Sequence, residues 1–498
     1  MASVFEKLTH LLKRFFSSGD KDIAAPDYLE GETLSSFLLD CKKQYLAAVA
    51  DGKAKKWTVV MGNEAGDLDT IASSVAYAWF ASVTTGTPHV PLLQTPRADL
   101  KLRPENLFAS FLASLSADQH ELLCIDDLPH YSPSEPFPSD KFALVDHNRL
   151  VQRFSDSTPS ASVVAVIDHH EDEGLYVDSA NPRIVRVPTG SCTSLVTLHI
   201  LDSAGPDFEI PPDLATLLLS GILIDTNGLK EGGKGVPADH KAAAYLIPRS
   251  SLALSGAFEF STAITGQLNA TTQVRYLAKE LRNKKSEIED LTTLELLRRD
   301  YKQYTFPSYW TADHKIVQVG LASCPTSLTS WISRDSESFW KDVDTFMDVQ
   351  GLDVLGILTK ANVLIESNGK KTLSLSSNAE VAWRNDKKAK KNKQKQRKES
   401  RKERRRREKE GKKVHIQVQV RQAFFVVREL AEGGLVLRLW AGLESPDYGF
   451  KRRATVKDGG RKARTYEQCG TKQTRKTIAP LIRHVIEGPS PSDTGKEA

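Results

Sequence analysis

Between an apolar run that ends at Met61 and a small-residue segment beginning near Ile71 stand Gly62-Asn63-Glu64-Ala65-Gly66-Asp67-Leu68-Asp69-Thr70. Two carboxylates two residues apart on a loop can each reach a different cation. The competing reading is that an aspartate here only caps the next helix. Further acids and imidazoles follow other apolar runs: Asp146-His147-Asn148 after Phe142 to Val145, Asp168-His169-His170 after Val163 to Ile167, and Asp225 after Gly221-Ile222-Leu223-Ile224. Carboxylates mixed with imidazoles suit Mn2+, Mg2+ or Co2+ better than a thiolate-loving metal. Two such ions ~3.5–4 Å apart would share one carboxylate and activate a bridging water for in-line attack on phosphorus.

The elements that must position these groups are legible as alternation. Short β-branched runs, Val59-Val60-Met61, Leu122-Leu123-Cys124-Ile125, Phe142-Ala143-Leu144-Val145 and Val163-Val164-Ala165-Val166-Ile167, alternate with longer helical stretches, the mark of a parallel α/β sheet. Ligands of such sheets bind beyond the carboxyl ends of the strands, where these acids lie. Tyr276 to Tyr304 is charged and carries leucines at loosely helical spacing, which predicts one interdomain helix. Beyond it, a second α/β unit is expected, with strands at Ile316 to Val319 and Val354 to Leu358, a hairpin at Asn368-Gly369, and strands at His415 to Val420 and Leu435 to Trp440. The resulting division is an N-terminal extension (1–32), a metal-binding domain (33–272), a helical linker (273–298), a second domain (299–487) with a basic insertion (385–413), and a Pro/Ser/Gly-rich tail (488–498).

With 498 residues, 40% of them apolar, the chain is long enough for two or three cores. The longest strongly apolar stretch, Leu214 to Ile224, is far short of the ~20 residues a membrane helix needs. Five scattered cysteines without C-x-x-C spacing argue against a disulfide framework or zinc ribbon and for a reducing compartment. Near the N-terminus, Val4, Leu8, Leu11, Leu12 and Phe15 share a helical face beside Lys7, Lys13 and Arg14, which reads as a docking helix or a mitochondrial presequence. A cytoplasmic location is the expectation, with the mitochondrial matrix as its alternative.

Charge is strongly segregated. Lys387 to Lys413 carries a net +13 and Lys451 to Arg483 a net +9, so a chain of net charge +5 keeps −17 on the remainder. The first segment lacks apolar residues and reads as a solvated insertion, either a solubilising loop or a polyanion-binding or nuclear-targeting tract. The second reads as ordered, with its basic side chains facing one region. Neither interleaves aromatics as a base-stacking platform does, which argues against nucleic acid as the ligand.

The ordered set N-x-x-x-D-x-D, D-H-N, D-H-H and I-D-T resembles the DHH phosphoesterase superfamily, and the spelling G-N-E-A-G-D-L-D is similar to its eukaryotic exopolyphosphatase and prune branch. The likeness covers roughly Thr33 to Glu487, the second half resembling the C-terminal domain of family II inorganic pyrophosphatases. It implies an α/β fold with a parallel-sheet domain, a smaller mixed α/β domain and an active site in the cleft between them. It also implies two Mn2+ or Mg2+ ions. Asn63, Asp67 and Asp146 would surround one, and Asp69, Asp146, His169 and Asp225 the other, with Asp146 bridging. His170 would face a substrate phosphate, while His147 and Asp168 would fix ring orientations. Thr474-Arg475-Lys476 is similar to the segment that clamps terminal phosphates in the pyrophosphatases, and Lys302 resembles a further phosphate contact, an ordinary surface lysine being its alternative.

The pyrophosphatases carry histidine where this chain has Asn63, so a weaker first metal site and poor pyrophosphate hydrolysis are implied. Gly190-Ser191-Cys192-Thr193-Ser194 precedes an apolar helix and reads either as a cap or as an anion site at a helix N-terminus. A nucleophilic role for Cys192 is rejected, because two-metal hydrolysis needs no covalent step. The expected protein is thus a monomeric exopolyphosphatase that releases orthophosphate processively from inorganic polyphosphate, without membrane or nucleic-acid partners. The alternatives are a prune-like enzyme acting on tripolyphosphate or cyclic nucleotides, and a non-enzymatic basic scaffold.

Overall fold

The computed structural model describes residues 33–132, 134–254, 268, 271–311, 313–334, 336–366, 371–375, 415–428, 434–448, 450–453, 461–468 and 474–488. The N-terminal amphipathic segment, the basic insertion, the Asn368-Gly369 turn and the tail lie outside them. The chain forms two compact units, Met1–Lys285 and Ser286–Ala498. No helix among the described residues is long and apolar enough to cross a membrane.

The first unit runs α1 (Leu34–Ala50), β1 (Thr58–Met61), α2 (Leu68–Thr85), β2 (His89–Leu93), α3 (Pro104–Leu112), β3 (Leu123–Cys124), β4 (Lys141–Val145), α4 (Gln152–Ser157), β5 (Ser162–Asp168), β6 (Arg183–Val185), α5 (Cys192–Ala204), α6 (Pro212–Asp225), α7 (Pro237–Leu246) and α8 (Thr272–Lys285). Its six strands are all parallel, in the order β3-β2-β1-β4-β5-β6. Helices cover the inner strands of the sheet: β1 and β2 are buried at every position, and α2 and α6 are buried almost around their circumference. In this order the winding reverses between β1 and β4. The loop carrying Asn63, Asp67 and Asp69 leaves β1, and Asp146 directly follows β4, so the acids stand at the switch point where such sheets bind ligands.

The second unit contains α9 (Thr293–Arg299), β7 (Tyr301–Pro307), β8 (Ile316–Cys324), α10 (Leu328–Arg334), α11 (Ser336–Val349), β9 (Val354–Glu366), β10 (Lys371–Leu375), β11 (His415–Val427), α12 (Leu435–Leu443), β12 (Phe450–Arg452), β13 (Ala463–Gln468) and α13 (Arg475–Glu487). Its sheet, ordered β12-β13-β11-β9-β8-β7 with β10 beside β9, is antiparallel except at β8 and β9. α12 and α13 cover one face over Val319, Leu321, Leu358, Ala423 and Phe425. α9, α10 and α11 cover the other over Ala322, Leu355, Ile357 and Phe424.

Three sequence expectations are corrected. The helix expected across Tyr276 to Tyr304 is two helices broken at 286–292, where Thr292 caps α9 in a reciprocal box with Glu295, and the chain enters β7 at Tyr301. Leu435 to Trp440 is helical, not extended: Leu435, Val436, Leu439, Trp440 and Leu443 are buried at helical spacing, a pattern that a six-residue window of Leu and Val concealed. Finally, the basic side chains between 451 and 483 do not face one region. Arg461 pairs with Asp344 on α11 and stacks on Trp340, whereas Arg464 pairs with Glu444 and stacks on Trp440 beside the opposite face. Alternation along β13 sends neighbouring residues to opposite sides.

The turn out of β1 depends on Gly66, which has φ +57° and whose missing side chain leaves room for the Thr95 hydroxyl. Arg103 donates to the Ala65 carbonyl and Asn106 to that of Gly66 (2.8 Å), pinning the turn from α3 and the residue before it. Gly66→Ala adds both a left-handed strain and a clash, so it is expected to lower stability by about 2–4 kcal/mol, read by urea unfolding.

Candidate metal centre

Asp146 is the centre of the constellation. It follows the last residue of β4 in a left-handed conformation (φ 61°), and its N–H is held by the Ile167 carbonyl at 3.0 Å. One carboxylate oxygen, Oδ2, accepts from Asn63 Nδ2 and from Thr70 Oγ1, each at 2.6 Å. The other, Oδ1, lies 3.2 Å from His169 Nε2 and 3.7 Å from His170 Nδ1. Asp146, His169 and His170 each present a ligand atom within 4.8 Å of the others. Burial pushes the Asp146 carboxyl up, but the His169 hydrogen bond, the two imidazoles and the Thr70 hydroxyl outweigh it and hold the group well below the usual carboxylate range.

Asp69 lies in the first turn of α2 with its carboxylate 3.7 Å from His169 Nε2. The N-terminus of α5 receives it: Cys192 N–H donates at 2.7 Å, Thr193 N–H at 2.8 Å and Ser191 Oγ at 2.6 Å, with Thr193 Oγ1 at 3.0 Å. The Gly190–Ser194 stretch therefore does hold an anion at a helix N-terminus, and that anion is the protein's own carboxylate. Even so, burial and then the charges of Asp146 and Asp225 push Asp69 up to about 8. Asp225, at the C-terminal end of α6, is likewise raised, by burial first, against the opposing charge of Lys285. Asp67 is the N-cap of α2, accepting from Thr70 N–H at 3.1 Å, so capping and proximity to the acids coexist in one residue. The donor set fits a hard or borderline divalent cation, whose charge would relieve what these carboxylates cost one another.

A surrounding layer fixes the imidazoles. Asp168 Oδ1 lies 2.7 Å from His170 Nδ1 and also accepts the His169 N–H at 2.8 Å, while its Oδ2 accepts from Asn148 at 2.6 Å. His147 Nδ1 is 2.9 Å from the Val145 carbonyl, directing its ring along the strand end. Asn148 also bonds the Glu171 carbonyl and accepts from Glu173 N–H, so it latches the β4 motif to the β5 motif. Sequence reading gave no role to Asn148 or Thr70. For Ser191 and Thr193 it left open a helix cap or an anion site, without identifying Asp69 as the anion. Asp239, equally unnoticed, is fully buried and accepts from Gly190 N–H, Val236 N–H and Ser194 Oγ, tying the α5 entrance to the start of α7.

In the second unit, Arg475 opens α13, donates to the Asp300 carbonyl at 2.9 Å and pairs with the Asp300 carboxylate at 2.8 Å. Lys476 follows it in the first turn, and Lys302 is partly exposed on β7.

The fold and this acid-imidazole centre at the switch point define a class, and comparison with known proteins agrees. The DHH family N-terminal domain matches residues 57–222, and the DHHA2 domain matches 279–485. A Schizosaccharomyces pombe protein whose name marks it as a candidate exopolyphosphatase is 31% identical over 319 residues, covering 62% of this chain and 74% of that one. Exopolyphosphatase PRUNE1 of Mus musculus is 26% identical over 329 residues, covering 66% of this chain and 63% of that one. A Streptococcus thermophilus protein named as a candidate manganese-dependent inorganic pyrophosphatase is 31% identical over 172 residues, 34% of this chain and 48% of its own length. The chain belongs to the DHH family, in the group that carries a DHHA2 domain.

The Asn63 amide is committed within the protein: Nδ2 donates to the carboxylate and carbonyl of Asp146, and Oδ1 accepts from Ala65 N–H at 2.9 Å. Imidazole in its place would offer a stronger donor. Asn63→His is expected to tighten Mn2+ binding about tenfold, the scale of one ligand or supporting group, measured by calorimetric titration. Unchanged affinity would mean that position 63 does not face the cation.

Proposed function

We propose that the chain is a divalent-metal-dependent phosphoanhydride hydrolase whose substrate is inorganic polyphosphate, shortened from its ends with release of orthophosphate. The observation that carries this reading is the gathering of Asp69, Asp146 and His169 within 4 Å contacts at the switch point, with the acids Asp67 and Asp225 close enough to act on Asp69 electrostatically. The names of the relatives support the substrate class.

Two Mn2+ or Mg2+ ions, when bound, would polarise the terminal phosphoryl group and lower the pKa of a water beside it. Asp146 is assigned to hold both, its two oxygens facing different sets of neighbours. Asp69, Asp146, His169 and Asp225 would hold one ion, and Asn63, Asp67 and Asp146 the other, the Asn63 amide here donating to the shared carboxylate. His170, half-buried and held by Asp168, is assigned to a phosphate oxygen next to the scissile bond. Arg475, Lys476 and Lys302 are assigned to phosphate oxygens of the substrate, the Asp300 pair keeping the Arg475 fork in place until phosphate competes for it. Cys192 takes no part: it is fully buried, its thiol is pushed well up by burial, and its Sγ bonds the Ile167 carbonyl.

Quantifying orthophosphate from long polyphosphate, tripolyphosphate and pyrophosphate, AMP from cyclic AMP and nucleotides from single-stranded DNA, each with Mn2+ or Mg2+, tests the substrate class. Polyphosphates should be cleaved and pyrophosphate much more slowly. Asp146→Asn should lose activity by about a thousandfold or more, because no other group replaces the bridging charge. A variant retaining a tenth of the activity at saturating Mn2+ would remove Asp146 from that role.

A further inference from the structure

Asp239 is a fully buried carboxylate that the hydrolysis proposed above does not use. Part of its placement has an ordinary reason. It stands third in α7, and accepting the Val236 N–H at 2.8 Å is what a capping carboxylate does at a helix start. Capping needs only that bond. The same oxygen, Oδ2, also accepts the Gly190 N–H at 3.0 Å, and Oδ1 accepts from Ser194 Oγ at 2.6 Å, so two of its three bonds reach back into the stretch that opens α5. All three donors are neutral, and a carboxylate removed from water is costly to keep on such partners.

That stretch is the cradle of Asp69. Its interior residues face Asp69 through Ser191 Oγ, Cys192 N–H and Thr193 N–H, while its two ends, Gly190 and Ser194, face Asp239. It is therefore clasped between two carboxylates, one assigned to a cation and one not. It also abuts α6, which ends in Asp225. A Cβ on Gly190 would come within 2.6 Å of Asp239 Oδ2 and 2.7 Å of Thr226 Cγ2, beside Asp225, and a Cβ on Gly221 within 2.9 Å of Thr193 Oγ1. Glycine permits both close approaches. The stretch thus touches Asp69 itself on one side and the residue after Asp225 on another.

We propose that Asp239 is a positioning residue for the cation that Asp69 and Asp225 would share: by anchoring both ends of the Gly190–Ser194 stretch, it sets where the Asp69 carboxylate is held relative to α6. The proposal rests on the metal-dependent reading above and adds to it a residue that ligates nothing. Its role is one of geometry, not of charge. Asparagine can make the same three bonds, its carbonyl oxygen accepting both N–H groups and its amide donating to the Ser194 hydroxyl. Alanine can make none, and it leaves two N–H groups and a hydroxyl without their acceptor.

Calorimetric titration of Mn2+ into the metal-free, full-length chain is the test. Asp239→Ala is expected to weaken the tighter of two binding steps about tenfold, whereas Asp239→Asn stays within about threefold of wild type. Leu38→Ala, a cavity in the core under α1, serves as the control: its melting temperature falls, and its Mn2+ affinity is expected to match wild type. Should Asp239→Ala fail to fold, Ser194→Ala and Gly190→Ala break the clasp from the other side, each with an expected loss of about threefold or more. Unchanged affinity in these variants, equal losses in Asp239→Asn and Asp239→Ala, or an equal loss in Leu38→Ala would each overturn the positioning role. No polyphosphate enters the titration, so failure of the substrate reading leaves its result standing. A wild-type chain that binds no Mn2+ would overturn the metal centre and the positioning role together.

Discussion

Buried carboxylates in one another's company set the constraint on which the first unit depends. Asp69, Asp146 and Asp168 are almost wholly removed from water, and each would be unaffordable there without donors aimed at it. The chain supplies them from three directions: the α5 N-terminus onto Asp69, Asn63 and Thr70 onto Asp146, and Asn148 with His170 onto Asp168. The supporting layer explains otherwise odd choices, such as a left-handed Asp146 and a loop fastened by a buried arginine. A cluster so arranged is poised for divalent cations, because two of its acids remain raised even with those donors in place.

Much of this was legible in the residues. Apolar β-branched runs followed by acids located β1, β4 and β5 and put the motifs at their carboxyl ends, since a parallel strand buried on both faces leaves a continuous hydrophobic signature. The strand order, which turns a set of acids into one site, was not legible, because pairing between distant segments leaves no local mark. Nor was the destination of the Gly190–Ser194 amides: a helix N-terminus looks the same in sequence whether it meets a solvent anion or Asp69 from 123 residues away. Local pattern misled at Leu435 to Trp440 and at Tyr276 to Tyr304, where short windows of Leu, Val and charged residues fit more than one period.

The second unit shows why net charge is a poor guide to a binding face. Among the described residues, Arg453, Arg461, Arg464, Arg475 and Arg483, five of that segment's eleven cations, each meet an acid of the same unit.

The central claim is that the buried acids and imidazoles at the β1/β4 switch point bind divalent cations. An anomalous difference map, collected at the manganese edge from crystals grown with Mn2+, tests it directly. The account predicts density bounded by Asp69, Asp146, His169 and Asp225, with a second, weaker peak toward Asp67. Density only elsewhere, or none at saturating Mn2+, would contradict it.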